Sequence, residues 1–187
     1  LEMSDSNYHG FEGFFASITS QAKRDNRMPF LSDLEGMWPP PAPLVIAQVT
    51  AAETREKAIF IDGGGTALYA GFQASYIKSG DRVICSTAVS SMGTALDEYV
   101  GSSSKVSDYL SLVIIGDGSF QMSVASLGGV ARCQGPALIL VLNNAGYAAI
   151  RHTQRDFLGN RQIGVSLEET KYGSVEELTQ AFCLEYR

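Results

Sequence analysis

Two short polar motifs follow apolar runs and together offer oxygen ligands for a divalent cation. A Gly-Asp-Gly-Ser segment at 116–119 follows the apolar run at 112–115, and an Asn-Asn pair at 143–144 follows a second run at 137–142. A carboxylate, a side-chain amide and backbone carbonyls are hard oxygen ligands that suit Mg²⁺. Glycines beside such an ion allow backbone N–H groups to approach a phosphate. The motifs therefore predict a site for Mg²⁺ that is held jointly with a phosphate.

The chain around these motifs alternates between predicted strands and predicted helices. Continuous apolar runs predict strands at residues 58–62, 82–85, 112–115 and 137–142. Helical patterns fall at residues 44–56, 66–76, 92–100 and 122–133, and a capping box formed by Ser174 and Glu177 predicts a last helix. Strands that are apolar throughout favour a parallel sheet covered on both faces. The predicted fold is α/β, an open parallel sheet with helices on both faces.

The motifs should lie together at one edge of this sheet. Open parallel sheets bind ligands beyond the carboxyl ends of their strands, and both motifs follow strand ends. A third segment, Asp-Gly-Gly-Gly at 62–65, follows the first strand and should join them. Ordinary turns between strands and helices also favour Gly, Asp and Asn, so a set of plain turns is the alternative explanation. Dinucleotide and P-loop sites are disfavoured, because no complete G-x-G-x-x-G or G-x-x-x-x-G-K-[ST] occurs.

Composition excludes several other classes of function. The net charge of −6 and the absence of a Lys/Arg cluster argue against a nucleic-acid partner. No apolar run is long enough to span a bilayer and no signal peptide is recognisable, so we expect no membrane partner. Three widely spaced cysteines, Cys85, Cys133 and Cys183, lie in apolar surroundings. They predict buried free thiols in a reducing, cytoplasmic compartment.

A domain boundary is predicted near residue 43. Residues 8–24 show the spacing of an amphipathic helix, and the Pro-rich segment 38–43 cannot be a helix or a central strand. We interpret residues 1–43 as a helix and lead-in from a preceding domain, and residues 44–187 as the domain that carries the motifs. The sequence begins without an initiator Met and stops near a helix end, so we expect a domain truncated at its C-terminus.

The paired motifs resemble the diphosphate-anchoring motif of thiamine diphosphate (ThDP) enzymes, in which GDG is followed at a set distance by NN. The segments 116–122 and 142–154 are most similar to the acetolactate synthase-like branch of that family. The resemblance implies the ThDP-binding fold and, within it, the C-terminal diphosphate-binding (PP) domain. It also implies that the cofactors are ThDP and Mg²⁺.

The resemblance assigns roles to individual positions. The implied metal ligands are Asp117, Asn144 and the carbonyl of Gly146. The implied cofactor-binding residues are Gly64, Gly65, Thr66, Ser90, Met92, Gly116, Gly118, Ser119 and Met122. Among these, Met92 would wedge beneath the cofactor and hold its two rings in a bent shape, and the Ser90 carbonyl would accept from the aminopyrimidine. Core packing is the alternative role for both methionines, and backbone conformation is the alternative for Gly64 and Gly65.

The implied activity is that of a ThDP-dependent lyase or transferase, a 2-keto acid decarboxylase or carboligase. In the family, the glutamate that activates the cofactor lies on a pyrimidine-binding domain of the same or a neighbouring subunit. We therefore assign no catalytic residue to this chain and expect it to be inactive alone. The expected partners are a small 2-keto acid, that pyrimidine-binding domain, and further copies of the chain in a homo-oligomer.

The sequence departs from the acetolactate synthase pattern at two places. Arg155 follows Gln154 where acetolactate synthases usually carry Trp, and Gly65-Thr66 replaces a frequent Gln-His, so acetolactate synthesis as such is doubtful. The residues that should face the substrate side are Ala149, Ile150, His152 and Gln154, and His152 receives no catalytic role. One alternative is the separate β-type subunit of a two-chain 2-keto acid decarboxylase. The other is a non-catalytic phosphate-ligand or interaction module.

Overall fold

A parallel sheet forms the centre of the computed structural model, which describes residues 41–166, 169 and 173–186. The predicted helix at 8–24 lies outside the described residues. The strands are β1 (Lys57–Ile61), β2 (Arg82–Ile84), β3 (Leu110–Gly116) and β4 (Ala137–Leu142). They lie in the order β2-β1-β3-β4, and every pairing is parallel. The predicted parallel sheet is therefore confirmed.

Helices follow or precede each strand in the described ranges. They are α1 (Ala42–Ala52), α2 (Gly65–Ala74), α3 (Thr94–Ser102), α4 (Asp117–Met122), α5 (Leu127–Val130), α6 (Ala148–Phe157) and α7 (Val175–Ala181). Proline in the first turn of α1 suits a helix start, because the missing N–H would have no partner there. The capping box of Ser174 and Glu177 at the start of α7 is confirmed. In these ranges, no helix combines the length and apolarity needed to cross a bilayer.

Two apolar clusters cover the opposite faces of the sheet. Ile59 and Ile61 of β1 pack with α1 and α2, whereas Ala58 and Phe60 of the same strand pack with α3, α4 and α5. All five residues of β1 are buried. The apolar run at 58–61 predicted this burial, whereas Lys57 is buried together with an ion-pair partner. The predicted α/β class, with helices on both faces, is thus confirmed.

The helices after β3 and β4 differ from the prediction. Instead of one helix over 122–133, α4 begins at Asp117 and ends at Met122, and α5 is a single short turn. The Ser123 hydroxyl donates to the Ser119 carbonyl at 3.1 Å, an arrangement that favours the end of a helix, and two glycines follow in α5. Helix α6 was not predicted, and none of its residues is buried.

The prediction of buried cysteines is also wrong. Cys85 and Cys133 are half-buried and Cys183 is exposed, although all three are free thiols. Cys133 and Cys183 lie at helix ends, where the chain turns back towards the surface. Apolar neighbours in the sequence therefore did not indicate complete burial.

A buried ion pair ties the start of β1 to the turn before β2. Lys57 Nζ lies 2.7 Å from Asp81 Oδ2, and both side chains are fully buried. The Asp81 carboxylate also accepts the backbone N–H groups of Lys57 and Lys78, each at 2.8 Å. Burial alone would raise the pKa of Asp81, but these hydrogen bonds outweigh it and hold that pKa below its usual value.

Candidate cofactor-binding site

The three predicted motifs meet in one cleft at the carboxyl edge of the sheet. The cleft is lined by the loops that follow the four strands together with the start of α6, and the space between them, counted out to open solvent, is about 500 Å³. The predicted site residues that line it are Gly64, Gly65, Thr66, Met92, Gly116, Asp117, Gly118, Ser119, Asn144 and Gly146. Ser90 and Met122 are outside this lining, and the Met122 side chain is 57% exposed. The structure thus brings together ten of the twelve positions.

Asp117 links two of the loops. Its side chain is buried at the first residue of α4, where Oδ1 accepts the Gly118 N–H at 2.8 Å and Oδ2 accepts the Gly146 N–H at 2.9 Å. These two backbone donors fix the carboxylate between the GDG and NN segments. Each carboxylate oxygen has a further lone pair, so both can still contact a cation.

The two neighbouring asparagines have different surroundings. Asn143 Oδ1 accepts the Ala145 N–H at 3.1 Å, which is a local turn within the loop. Asn144 Nδ2 lies 3.5 Å from Thr66 Oγ1, while its Oδ1 is buried with no hydrogen-bond partner among the described residues. A buried polar atom without a partner costs about 1–3 kcal/mol. A cation bound beside Asp117 would give this oxygen a partner.

The oxygen atoms of Asp117 and Asn144 fit as ligands of an Mg²⁺ ion that is shared with a phosphate. Asp117 and Asn144 supply one negative charge and one neutral oxygen, which is too few ligands for an ion held by protein alone. Across residues 41–166, 169 and 173–186, no group of three or more His, Cys, Asp or Glu side chains could hold a metal. The missing ligands would come from a diphosphate and water, as Mg²⁺ sites on phosphates commonly arrange.

Glycine at 118 is required by a neighbouring ring. A Cβ at this position would lie 2.6 Å from Cε1 of Tyr147, because the tyrosine ring packs directly on the backbone of the GDG segment. Tyr147 also lines the cleft, as do Ala149 and Ile150. His152 is exposed and is not part of the lining. The Gln154 amide is hydrogen-bonded to the backbone of Ile163, and so it is directed to a loop rather than to the cleft.

The loop that carries Met92 is tied to the loop after β1. The buried Asp62 accepts the Gly93 N–H at 2.8 Å through Oδ1. A Cβ on Gly64 would lie 2.5 Å from Met92 Cγ, and a Cβ on Gly63 would lie 2.5 Å from the carbonyl oxygen of Ser91. These close approaches place Met92 in the cleft, while its role as a wedge stays a prediction.

Two contributors to this site, Arg151 and Tyr147, were missed in the sequence, and Asp62 was predicted only as part of the segment 62–65. Arg151 donates through Nη2 to the Asn144 carbonyl at 2.8 Å and through Nη1 to the Ala145 carbonyl at 3.1 Å. Asp62 joins two loops, and Tyr147 covers Gly118. The sequence signal for Arg151 was its position one turn into the segment that follows the NN loop, but that signal requires knowing that α6 begins at Ala148.

The shifted pKa of Glu98, on α3, predicts that the free energy of unfolding of the chain depends on pH. Burial raises the pKa of Glu98, and the charges of Asp62 and Asp97 raise it further, against a hydrogen bond from Thr94 that lowers it. Since the folded-state pKa lies above the unfolded value, ionising Glu98 destabilises the fold as the pH rises through this range. Glu98→Gln should therefore stabilise the chain at pH 8 and change it little at pH 4. Urea unfolding at both pH values measures this, and an equal gain at both would contradict it.

Comparison with known proteins agrees with this geometry. The sequence profile of the family described as "Thiamine pyrophosphate enzyme, C-terminal TPP binding domain" matches residues 50–185, thiamine pyrophosphate being another name for ThDP. Over 128 residues the chain is 28% identical to the large subunit of acetolactate synthase isozyme 2 from Escherichia coli K12, which covers 68% of this chain and 23% of that protein. It is 29% identical over 99 residues to the acetolactate synthase large subunit of Porphyra purpurea, with coverage of 53% and 17%.

A solved structure shares the fold. It is a thiamine diphosphate-dependent 4-hydroxybenzoylformate decarboxylase from Rhodococcus jostii RHA1, with a TM-score of 0.63 and 19% identity over 75% of this chain and 26% of that one. The chain thus spans about a quarter or less of the length of these relatives. Because the family profile covers most of the sequence, the chain belongs to the C-terminal thiamine pyrophosphate-binding domains of thiamine pyrophosphate enzymes.

Proposed function

We propose that this chain binds the diphosphate of ThDP through Mg²⁺ and forms the C-terminal half-site of an acetolactate synthase-like enzyme that acts on 2-keto acids. The observation that carries the proposal is the buried Oδ1 of Asn144, which has no hydrogen-bond partner among the described residues and lies in the same cleft as Asp117. The Gly146 carbonyl would be the third protein ligand. Backbone and side-chain donors of Gly118 and Ser119 would contact the diphosphate.

The residues of the chain would bind and orient the cofactor rather than react. When bound, the cofactor supplies a nucleophilic carbon for the 2-keto carbonyl and accepts the electrons released on decarboxylation. Met92, packed against Gly64 in the cleft, would support the bent shape of the cofactor. The activating glutamate would come from a pyrimidine-binding domain of the same or a neighbouring subunit, so the purified chain alone should not turn over a 2-keto acid.

Calorimetric titration of ThDP into the chain, with and without Mg²⁺, tests the proposal. Binding should require Mg²⁺, and Asp117→Ala should weaken it at least about tenfold, because the site would lose its single charged ligand. Millimolar ThDP is needed because half of a site binds weakly.

An exposed carboxylate provides the control for this titration. Asp108→Ala removes the same charge near the start of β3, at the opposite edge of the sheet, and should leave binding unchanged. If a folded wild-type chain shows no heat of binding at millimolar ThDP with Mg²⁺, the binding proposal fails. A non-catalytic interaction module then becomes the better description. An affinity for ThDP that is the same with and without Mg²⁺ would also contradict the metal site.

A further inference from the structure

The loop between two of the three proposed metal ligands, Asn144 and Gly146, contains a residue in a strained conformation. Ala145, between Asn144 and Gly146, has φ of +59°, in the left-handed region. A residue with a Cβ is disfavoured there, whereas glycine adopts this conformation freely. Ala145 is exposed, so apolar packing does not hold it in place. Hydrogen bonds must therefore maintain this conformation.

Two side chains supply these bonds. Asn143 Oδ1 accepts the N–H of Ala145. On the other side of the loop, the half-buried guanidinium of Arg151 donates to two successive carbonyls, those of Asn144 and Ala145. A planar guanidinium can donate to both oxygens at once, which a lysine ammonium on a flexible stem does less well. Hydrogen bonds from a charged donor are also stronger than neutral ones.

We infer that Arg151 is a positioning residue for the Mg²⁺ site. Its two hydrogen bonds keep Ala145 left-handed, and this conformation holds the Asn144 side chain and the backbone of Gly146 beside Asp117. Without Arg151 the loop would relax to a conformation that alanine prefers, and the Gly146 N–H would no longer donate a hydrogen bond to Asp117 Oδ2. The role in metal binding rests on the proposed function, but the control of the loop does not.

Hydrogen exchange of the cofactor-free chain tests the control of the loop. The reporting amides are Gly146, which donates to Asp117, and Tyr147, which donates to the Val165 carbonyl at 3.0 Å. Arg151→Ala should speed their exchange about tenfold or more, with a smaller effect in Arg151→Lys. Arg155→Ala is the matched control, because Arg155 lies on the same helix and pairs only with its neighbour Asp156 among the contacts described. Unchanged exchange in Arg151→Ala would overturn the inference.

A rescue experiment separates loop geometry from charge. In titrations of Mg²⁺ at millimolar ThDP, Arg151→Ala should weaken Mg²⁺ binding about tenfold, as loss of an outer-shell partner commonly does. Adding Ala145→Gly should recover part of this loss, because glycine accepts the left-handed conformation without Arg151. A loss that Ala145→Gly leaves untouched would show that Arg151 acts through its charge, and would overturn the inference.

The two measurements keep the two proposals apart. If the wild-type chain binds no Mg²⁺ with ThDP, the proposed function fails, while the exchange rates of Gly146 and Tyr147 still decide whether Arg151 controls the loop. If the wild type binds and Arg151→Ala binds equally well, the inference alone fails. Far-UV circular dichroism of each variant establishes that the fold is intact.

Discussion

Replacing Asp81 with alanine is expected to lower the free energy of unfolding by about 3–5 kcal/mol, because Lys57 would keep a buried charge without its partner. Both side chains of this pair are fully buried, and Nζ lies 2.7 Å from Oδ2. The substitution also removes the acceptor for two backbone N–H groups. Domains of this size have a total stability of about 5–15 kcal/mol, so the urea midpoint should fall far.

Two further variants test whether the buried charge of Lys57 causes the loss of stability in Asp81→Ala. Adding Lys57→Met to Asp81→Ala should recover part of the loss, since no charge then remains buried, although the two N–H groups still lack their acceptor. Arg55→Ala breaks an ion pair of similar length, with Glu53, at an exposed position, and should have a far smaller effect. If Asp81→Ala and Arg55→Ala destabilise the chain equally, burial does not govern the strength of this pair.

The same ion pair predicts how the effect varies with pH. The pKa of Asp81 is below its usual value in the folded chain, so its contribution to stability is complete above the unfolded-state pKa. That contribution is lost as the pH falls through the lower, folded-state pKa. The difference in stability between wild type and Asp81→Ala should therefore shrink when urea unfolding is moved from pH 7 to below about pH 4. A gap that does not change with pH would contradict this reading.

The sheet could be predicted from the sequence because burial on both faces leaves a direct signal. Strand β1 is apolar at nearly every position, and the structure buries all of it. The first residues of the helices were harder to predict from the sequence. Helix α4 begins at Asp117 with no apolar spacing of its own, because its first residues serve the cleft rather than the core. Helix α6 has no buried residue, so no periodic core face indicated it.

The site could be predicted in its residue types but not in its contacts. The spacing of GDG and NN was enough to place Asp117 and Asn144 in one cleft. It could not show that the Gly146 N–H donates to Asp117, or that Arg151 donates to the loop carbonyls. These contacts depend on backbone dihedral angles and side-chain rotamers, which motif spacing does not specify. Three-dimensional geometry was needed to find the residues that hold the ligands in place.

Replacing Gly63 with alanine is expected to destabilise the chain by about 1–3 kcal/mol or more, because the added methyl group has no room. A Cβ at this position would lie 2.5 Å from the Ser91 carbonyl oxygen and 2.8 Å from two other backbone atoms of residues 90 and 91. Backbone atoms cannot rotate away as the end of a flexible side chain can. To relieve this clash, the loop that carries Met92 must therefore move away from the loop after β1.

The consequence for ligand binding follows from that movement. Met92 lines the cleft and Asp62 holds Gly93, so a displaced loop should weaken Mg²⁺-dependent binding of ThDP as well as lower the urea midpoint. Gly101→Ala is the matched control, since a Cβ there has nothing within 4 Å and lies in helix α3, where alanine should stabilise by up to about 1 kcal/mol. If Gly63→Ala is destabilised but binds ThDP as the wild type does, the clash is absorbed without disturbing the cleft, and the predicted effect on binding is wrong.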